Sequence, residues 1–334
     1  MSRNYELGVR FGEFIVAEYL WMTDNYISLG KTEISISPMG LGTMQWGDVK
    51  LSNLPKAEVD NGINEIFQST LDAGINFLDT AELYGNGRSE INLGKCLKKS
   101  TNKIIIATKF MPYPWRLTKG ELRSAVLRSL KHLGINQVDL YQMHWPFPPV
   151  PIRSWMEAMS DAIADGLIRA VGVSNYSTSQ TTIAYDTLEK HHIPLASNQV
   201  KYSLLDRRPE RSGLVDLCKK LNITIIAYSP LEKGILTGKY TPNNLPQGLR
   251  AWNYNKAFMI KVKPLMDALH KVGKAHAGMT PAKVALNWLI CKGIVPIPGA
   301  RNAHQAQENA GGLGWRLSED EVARLDKISD EVAK

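Results

Sequence analysis

Cysteine is scarce in this sequence. Only Cys96, Cys218 and Cys291 occur in 334 residues, far apart and with no C-x-x-C pair. That excludes a disulfide framework and a cysteine-type zinc site, and no metal is expected; it fits a reducing compartment. No apolar run approaches the ~20 residues that span a bilayer, so membrane insertion is not expected. A dense basic run is also missing. The 40 Lys and Arg exceed the 32 Asp and Glu by a formal charge of +8, but they are dispersed. This reads as a solvated surface, compatible with an anionic small ligand and not with nucleic acid. Residues 1–25 lack the uninterrupted apolar stretch of a signal peptide, because Glu13 and Glu18 break it. They are also too acidic for a transit peptide, with Glu6 and Asp24 besides. They are expected to form an extension ahead of one domain, residues 26–334.

What is present is a repeated strand–helix rhythm. "YISLGKTEISIS" (26–37) alternates on both sides of Gly30-Lys31 and predicts a β-hairpin. Short β-type runs follow at 38–43, 75–80, 103–108, 138–144, 168–174, 195–200, 223–229 and 294–298. Most begin about thirty residues apart, the size of a βαβ unit. Helical patterns lie between them. Residues 61–73 stop at Gly74, and a helix over 118–133 opens on the capping box "TKGE" and stops at Gly134. Thr280-Pro281 opens another, and "SEDE" at 318 a last one. Eight near-continuously apolar strands alternating with helices predict a (β/α)8 barrel of the α/β class, a TIM barrel. A doubly wound sheet would need a G-x-G-x-x-G turn after its first strand, and "GLGTMQWGD" does not supply one. Residues 231–254, rich in Gly and Pro, predict a loop over the barrel mouth.

In such barrels the chemistry sits at the C-terminal strand ends. Here those ends carry Thr43, Asp79, Lys109, His144, Ser174-Asn175, Gln199, Tyr228-Ser229 and Gly299–Arg301. Each has an ordinary structural use: a helix cap for Asp79, a solvated end for Lys109, a satisfied core group for His144, rim packing for Tyr84. A closed barrel brings all of them to one mouth. An Asp that keeps a Lys charged, and a Lys whose ammonium lowers a tyrosine pKa, would make Tyr84 a usable proton donor. A histidine N–H can orient a carbonyl oxygen beside it. No Ser or Cys nucleophile with an adjacent base is visible, so an external hydride donor is the natural reagent. Ser174, Asn175 and Gln199 suit a carboxamide, and Tyr228 an aromatic ring. "PGARNAHQAQEN" starts a loop-to-helix turn suited to phosphate. Trp46, Trp115 and Trp145 follow strands one, three and four and are expected to line an apolar substrate mouth.

Together, "GINFLDTAELYGNGRSE", "VDLYQMHWP", "IRAVGVSNYS", "NQVKYSLLDR", "IAYSPLEKGILTGKY" and "PIPGARNAHQAQEN" resemble the ordered motifs of the aldo-keto reductase superfamily, over residue 26 to the end. The flavour is that of the bacterial, cyanobacterial and plant-plastid type. The resemblance implies a barrel closed at its bottom by the hairpin and a tetrad of Asp79, Tyr84, Lys109 and His144. It implies reduction of aldehydes or ketones by NADPH, with Tyr84 as general acid. Nicotinamide contacts fall on Thr43, Asp79, Ser174, Asn175, Gln199 and Tyr228. Phosphate and adenosine contacts fall on Ser229, Leu231, Gly299, Arg301, Gln305, Glu308 and Asn309. Many members place an arginine where this chain has Gln305, so NADPH is expected to be preferred with some tolerance of NADH. The partner is a small carbonyl compound, and both a monomer and a homo-oligomer are compatible. The location is expected to be cytoplasmic, with the plastid stroma as the alternative. Two rival readings differ in kind. One is a nicotinamide-binding redox sensor with little turnover, against which the intact tetrad speaks. The other is a Schiff-base barrel enzyme using Lys109, which leaves Tyr84 and the amide set without roles.

Overall fold

The computed structural model describes residues 26–47, 56–248 and 254–332; the expected extension over 1–25 lies outside them. The order is β1 (Ile27–Ser28), β2 (Ser35–Ile36), β3 (Gly40–Gly42), α1 (Met44–Gly47), α2 (Lys56–Asp72), β4 (Phe77–Asp79), α3 (Arg88–Leu97), β5 (Ile105–Phe110), α4 (Lys119–Leu133), β6 (Val138–Met143), α5 (Ile152–Ala164), β7 (Ile168–Ser174) and α6 (Thr178–Glu189). It continues with β8 (Leu195–Lys201), α7 (Arg208–Arg211), α8 (Leu214–Leu221), β9 (Thr224–Tyr228), a 3₁₀ turn (Glu232–Thr237), α9 (Lys256–Ala275), α10 (Pro281–Cys291), β10 (Val295–Pro296), α11 (Ala303–Ala310) and α12 (Glu319–Val332).

Strands β3 to β10 pair in sequence order, each parallel to the next. A parallel bridge between Gly42 and Gly299 joins the two edges. The sheet is therefore the (β/α)8 barrel expected from the alternation. Two apolar cores follow from strands covered on both faces. The outer one packs strand residues such as Leu78, Ile106 and Val171 against the helices. The inner one fills the barrel with Phe77, Ile105, Ala107, Leu140, Ala170, Ala196, Ile226 and Val295.

The hairpin completes that inner core. β1 and β2 are antiparallel, and Leu29, Ile34 and Ile36 join the interior cluster. Gly30 turns with φ of 58° and donates its N–H to Thr224 Oγ1 at 2.8 Å. A Cβ on Gly30 would fall 2.6 Å from the Ala196 carbonyl oxygen. The turn thus presses on the starts of β8 and β9, at the end opposite the mouth, and only glycine fits there.

The helix signals act as read. Thr118 and Glu121 form a capping box on α4, which ends at Gly134 with φ of 67°. Thr280 caps α10 with Pro281 in its first turn, and Ser318 exchanges bonds with Glu321 at the start of α12. The loop expected over 231–254 carries a 3₁₀ turn at Glu232–Thr237, and the segment between β9 and α10 continues past it. Its end is α9, twenty residues long with Pro264 inside it. No described helix is long and apolar enough to cross a membrane.

Candidate active site

Register brings the polar strand ends together. Asp79 ends β4 opposite Gly42 on one side and Ala107 on the other. Lys109 lies opposite Gln142, and Ser174 opposite Gln199. The centre is a buried ion pair: Lys109 is 0% exposed and Asp79 1%. The Lys109 ammonium donates to Asp79 Oδ2 at 2.5 Å, to the Thr80 carbonyl at 2.8 Å and to the Tyr84 hydroxyl at 3.3 Å. The other carboxylate oxygen of Asp79 accepts from Gln199 Nε2 at 2.7 Å and Gln142 Nε2 at 3.2 Å. A buried pair survives only when its remaining lone pairs and protons are matched, and here they are.

The electrostatics refine the expected relay. Burial works against the Lys109 ammonium, but Asp79 and Tyr84 outweigh it and raise its pKa. For Tyr84 the expectation of a lowered pKa needs correction. Burial raises it, and although Lys109 pulls it down, the net direction is up. The phenol therefore stays protonated and able to donate. Burial, helped by Lys109, lowers His144 to about 3, so its ring is neutral. His144 follows β6 with 8% exposure, and its ring meets that of Tyr84 edge-on with centroids 5.8 Å apart. Among the described residues its buried Nδ1 has no hydrogen-bond partner.

The next strand ends form a polar arc. Asn175, with φ of 63°, donates through Nδ2 to the His144 carbonyl at 3.1 Å and to Ser174 Oγ at 3.0 Å. Its Oδ1 accepts from the Tyr228 hydroxyl at 2.8 Å. Ser174 Oγ donates to the Gln199 carbonyl at 2.9 Å. These groups are pre-ordered by one another, and Gln199 also holds Asp79. Ser229 follows with φ of 52°, then half-buried Leu231. Beyond β10, the Gly299 carbonyl accepts from Asn309 Nδ2 at 3.3 Å, and a Cβ on Gly299 would strike Gln45. Arg301 donates its backbone N–H to Gln305 Oε1 at 3.0 Å, and Asn302 caps α11. Glu308 pairs with Lys283 at 3.0 Å and accepts from Thr280. Thr43 sits differently. Its hydroxyl is fully buried, donating to the Asp79 carbonyl at 2.9 Å and lying 2.8 Å from Ser89 Oγ.

The three tryptophans part company. Trp46, 1% exposed, is buried in the outer core and does not line a mouth. The short helix α1 turns it inward under the rim. Trp115 is 68% exposed and stacks on Tyr113 with centroids 4.6 Å apart. Trp145, beside His144, stacks on Phe147 at 5.5 Å.

Sequence reasoning missed Gln142, which lies in the layer of Lys109 and bonds Asp79. The signal was available: period two from the mouth-facing His144 points Gln142 and Leu140 inward, and an amide inside an apolar strand needs a partner. Among the described residues, no three His, Cys, Asp or Glu could hold a metal ion.

The aldo/keto reductase family model matches residues 38–330. A chloroplastic pyridoxal reductase of Arabidopsis thaliana is 39% identical over 314 residues, covering 90% of this chain and 85% of its own length. The Bacillus subtilis aldo-keto reductase YhdN is 31% identical, covering 92% and 94%. Among solved structures, a glycerol dehydrogenase from Gluconobacter oxydans superposes with a TM-score of 0.81 at 28% identity, covering 93% and 97%. An aldo/keto reductase from Klebsiella pneumoniae, in complex with NADP and acetate, gives 0.73 at 26% identity, covering 91% and 95%.

Proposed function

The chain belongs to the aldo/keto reductase family and is an NAD(P)H-dependent oxidoreductase, and from that premise we propose that it reduces flat, apolar-bodied aldehydes and ketones with NADPH, Tyr84 giving the proton. The observation that carries the reading is the chain of contacts from Asp79 through Lys109 to the Tyr84 hydroxyl.

The residues fit the cofactor. Amide and hydroxyl groups from Ser174 to Gln199 suit its carboxamide, and the Tyr228 ring offers a face to its nicotinamide. Arg301 supplies fixed positive charge for its phosphates, with Ser229, Leu231, Gly299, Gln305, Glu308 and Asn309 along the same arc. When bound, NADPH supplies a hydride to the carbonyl carbon. The protein does the rest. The Tyr84 and His144 rings lie side by side with centroids 5.8 Å apart, so a carbonyl oxygen bound between them would meet a donor from each. His144 is neutral, so its N–H orients that oxygen without competing to protonate it. Tyr84 passes its proton to the oxygen as negative charge grows there. The Lys109 ammonium stabilises the phenolate left behind, and Asp79 keeps that ammonium in place. Lys109 then relays the replacement proton.

The substrate class is supported by the other half of the mouth. Tyr113–Trp115 and Trp145–Phe147 are two stacked aromatic pairs on the loops after β5 and β6. Such faces favour planar aldehydes, and pyridoxal is a fitting probe given the Arabidopsis relative. Purified protein should oxidise NADPH with pyridoxal or a nitrobenzaldehyde. Tyr84→Phe should lower kcat by about 10²–10⁴-fold with NADPH binding nearly intact. Full activity in that variant would sink the assignment of the acid.

A further inference from the structure

Tyr84 stands on the loop after β4, where the Glu82 N–H donates to the Lys109 carbonyl at 3.4 Å and the Ser89 N–H to the Tyr84 carbonyl at 3.2 Å. Residues 80–87 leave β4, and Gly85, Asn86 and Gly87 in succession carry positive φ. The bond from Lys109 to the Tyr84 hydroxyl, 3.3 Å, constrains the ring only weakly. Two residues before the tyrosine is Glu82, whose side chain is mostly buried. Its carboxylate accepts from the Met111 backbone N–H at 2.8 Å and makes a two-pronged pair with Arg116, the second prong at 3.2 Å. Arg128 lies 3.6 Å away. Arg116 also donates to the Met111 carbonyl at 2.9 Å. Its guanidinium lies over two rings, 4.9 Å from the Phe110 centroid and 5.3 Å from that of Tyr113. Tyr113 in turn stacks on Trp115.

We infer that the Glu82–Arg116 pair is a positioning clamp, which sets the Tyr84 hydroxyl against Lys109 and His144 and holds the Tyr113–Trp115 stack as a wall for substrate. The inference rests on Tyr84 being the acid. Three features separate this pair from an ordinary surface bridge. It is two-pronged, so it fixes direction as well as distance. It is shielded from water, unlike exposed pairs, which contribute little. And it joins the loop of the acid to the loop of the aromatic wall, so one contact registers both against the reacting carbonyl. Proton transfer needs heavy atoms within about 2.6–3.2 Å, and a misplacement of about 1 Å can cost ~10²-fold in rate. The charges acting on Tyr84 are Lys109 and Asp79. Glu82 therefore acts through geometry, not through the acidity of the phenol.

The test compares Glu82→Gln, Arg116→Lys and Tyr84→Phe, singly and with Glu82→Gln in the Tyr84→Phe background. NADPH affinity of each binary complex is read by fluorescence quenching. Glu82→Gln should lower kcat by about 10–100-fold, raise KM for an aromatic aldehyde, leave NADPH affinity within about twofold, and leave the alkaline limb of the pH profile in place. Arg116→Lys, which keeps the charge and loses the fork, should fall between it and the parent. In the Tyr84→Phe background, Glu82→Gln should change residual kcat by less than about threefold, because a clamp cannot misplace a hydroxyl that is gone, while the rise in KM from the loosened wall persists. The clamp is overturned if kcat is unchanged, if the alkaline limb moves, or if the full loss persists in that background. An active Tyr84→Phe variant overturns the acid reading instead. Retained NADPH binding certifies folding, and if Glu82→Gln does not fold, Arg116→Lys carries the same comparison.

Discussion

Replacing Asp79 by asparagine should destabilise this barrel far more than removal of one charge from a surface would. Asp79 is the anion that faces Lys109, and its carboxylate accepts from Lys109, Gln142 and Gln199 at once. Asparagine keeps one acceptor oxygen and turns an NH₂ toward the remaining donors. Lys109, 0% exposed, is then a buried cation with only the Thr80 carbonyl and the Tyr84 hydroxyl as partners. Breaking such a pair costs about 3–5 kcal/mol, whereas removing both charges together is often close to neutral. In Asp79→Asn/Lys109→Met the asparagine oxygen can still accept from the two glutamines. That double variant should therefore be more stable than either single one while having no reductase activity. Urea unfolding of the apoprotein, followed by tryptophan fluorescence, measures this. If Asp79→Asn lies within about 0.5 kcal/mol of the parent, or the double variant simply sums the two losses, the reasoning about the buried pair is wrong.

Two further outcomes follow from the same structure. His144 has a folded pKa near 3 against an ordinary 6.5. Above pH 6.5 both states are neutral and its share of stability is complete; as pH falls, the unfolded chain binds a proton that the folded one refuses. At pH 5.5 the loss is about 1.4 kcal/mol, growing toward pH 3. His144→Gln should remove that part of the pH dependence, seen as a difference in urea midpoints between pH 7 and 5.5; equal slopes in the two proteins would refute it. The tryptophans give a contrast in kind. Trp115→Ala should raise KM for aromatic aldehydes with a stability change under about 0.5 kcal/mol, and Trp46→Ala should cost about 3–5 kcal/mol by opening the core.

Much of this was legible from residue order. The hairpin was visible as alternation around Gly30, and the strand ends as polar residues closing apolar runs. Helix limits were visible where capping chemistry is local, as at Thr118 and Gly134. The long α9 escaped notice because its signal lies behind a Gly- and Pro-rich stretch and carries Pro264 inside it. Trp46 and Trp115 looked alike in the chain, each just past a strand. One is core and the other rim, because a short helix turns the first inward and an open loop leaves the second out.

The sequence by itself determined the alternation of strands and helices and the identity of the groups at the strand ends. These are properties of neighbours along the chain: periodicity, propensity and caps act over a few residues. Tertiary structure alone decided what those groups do to one another. It placed Gln142 and Gln199 on Asp79, tied Glu82 to a loop some thirty residues away, left His144 neutral, and raised the Tyr84 pKa where a neighbouring ammonium had suggested the reverse. Charge–charge attraction can be guessed from residue types. The cost of leaving water depends on how completely a group is enclosed, and only the folded barrel determines that.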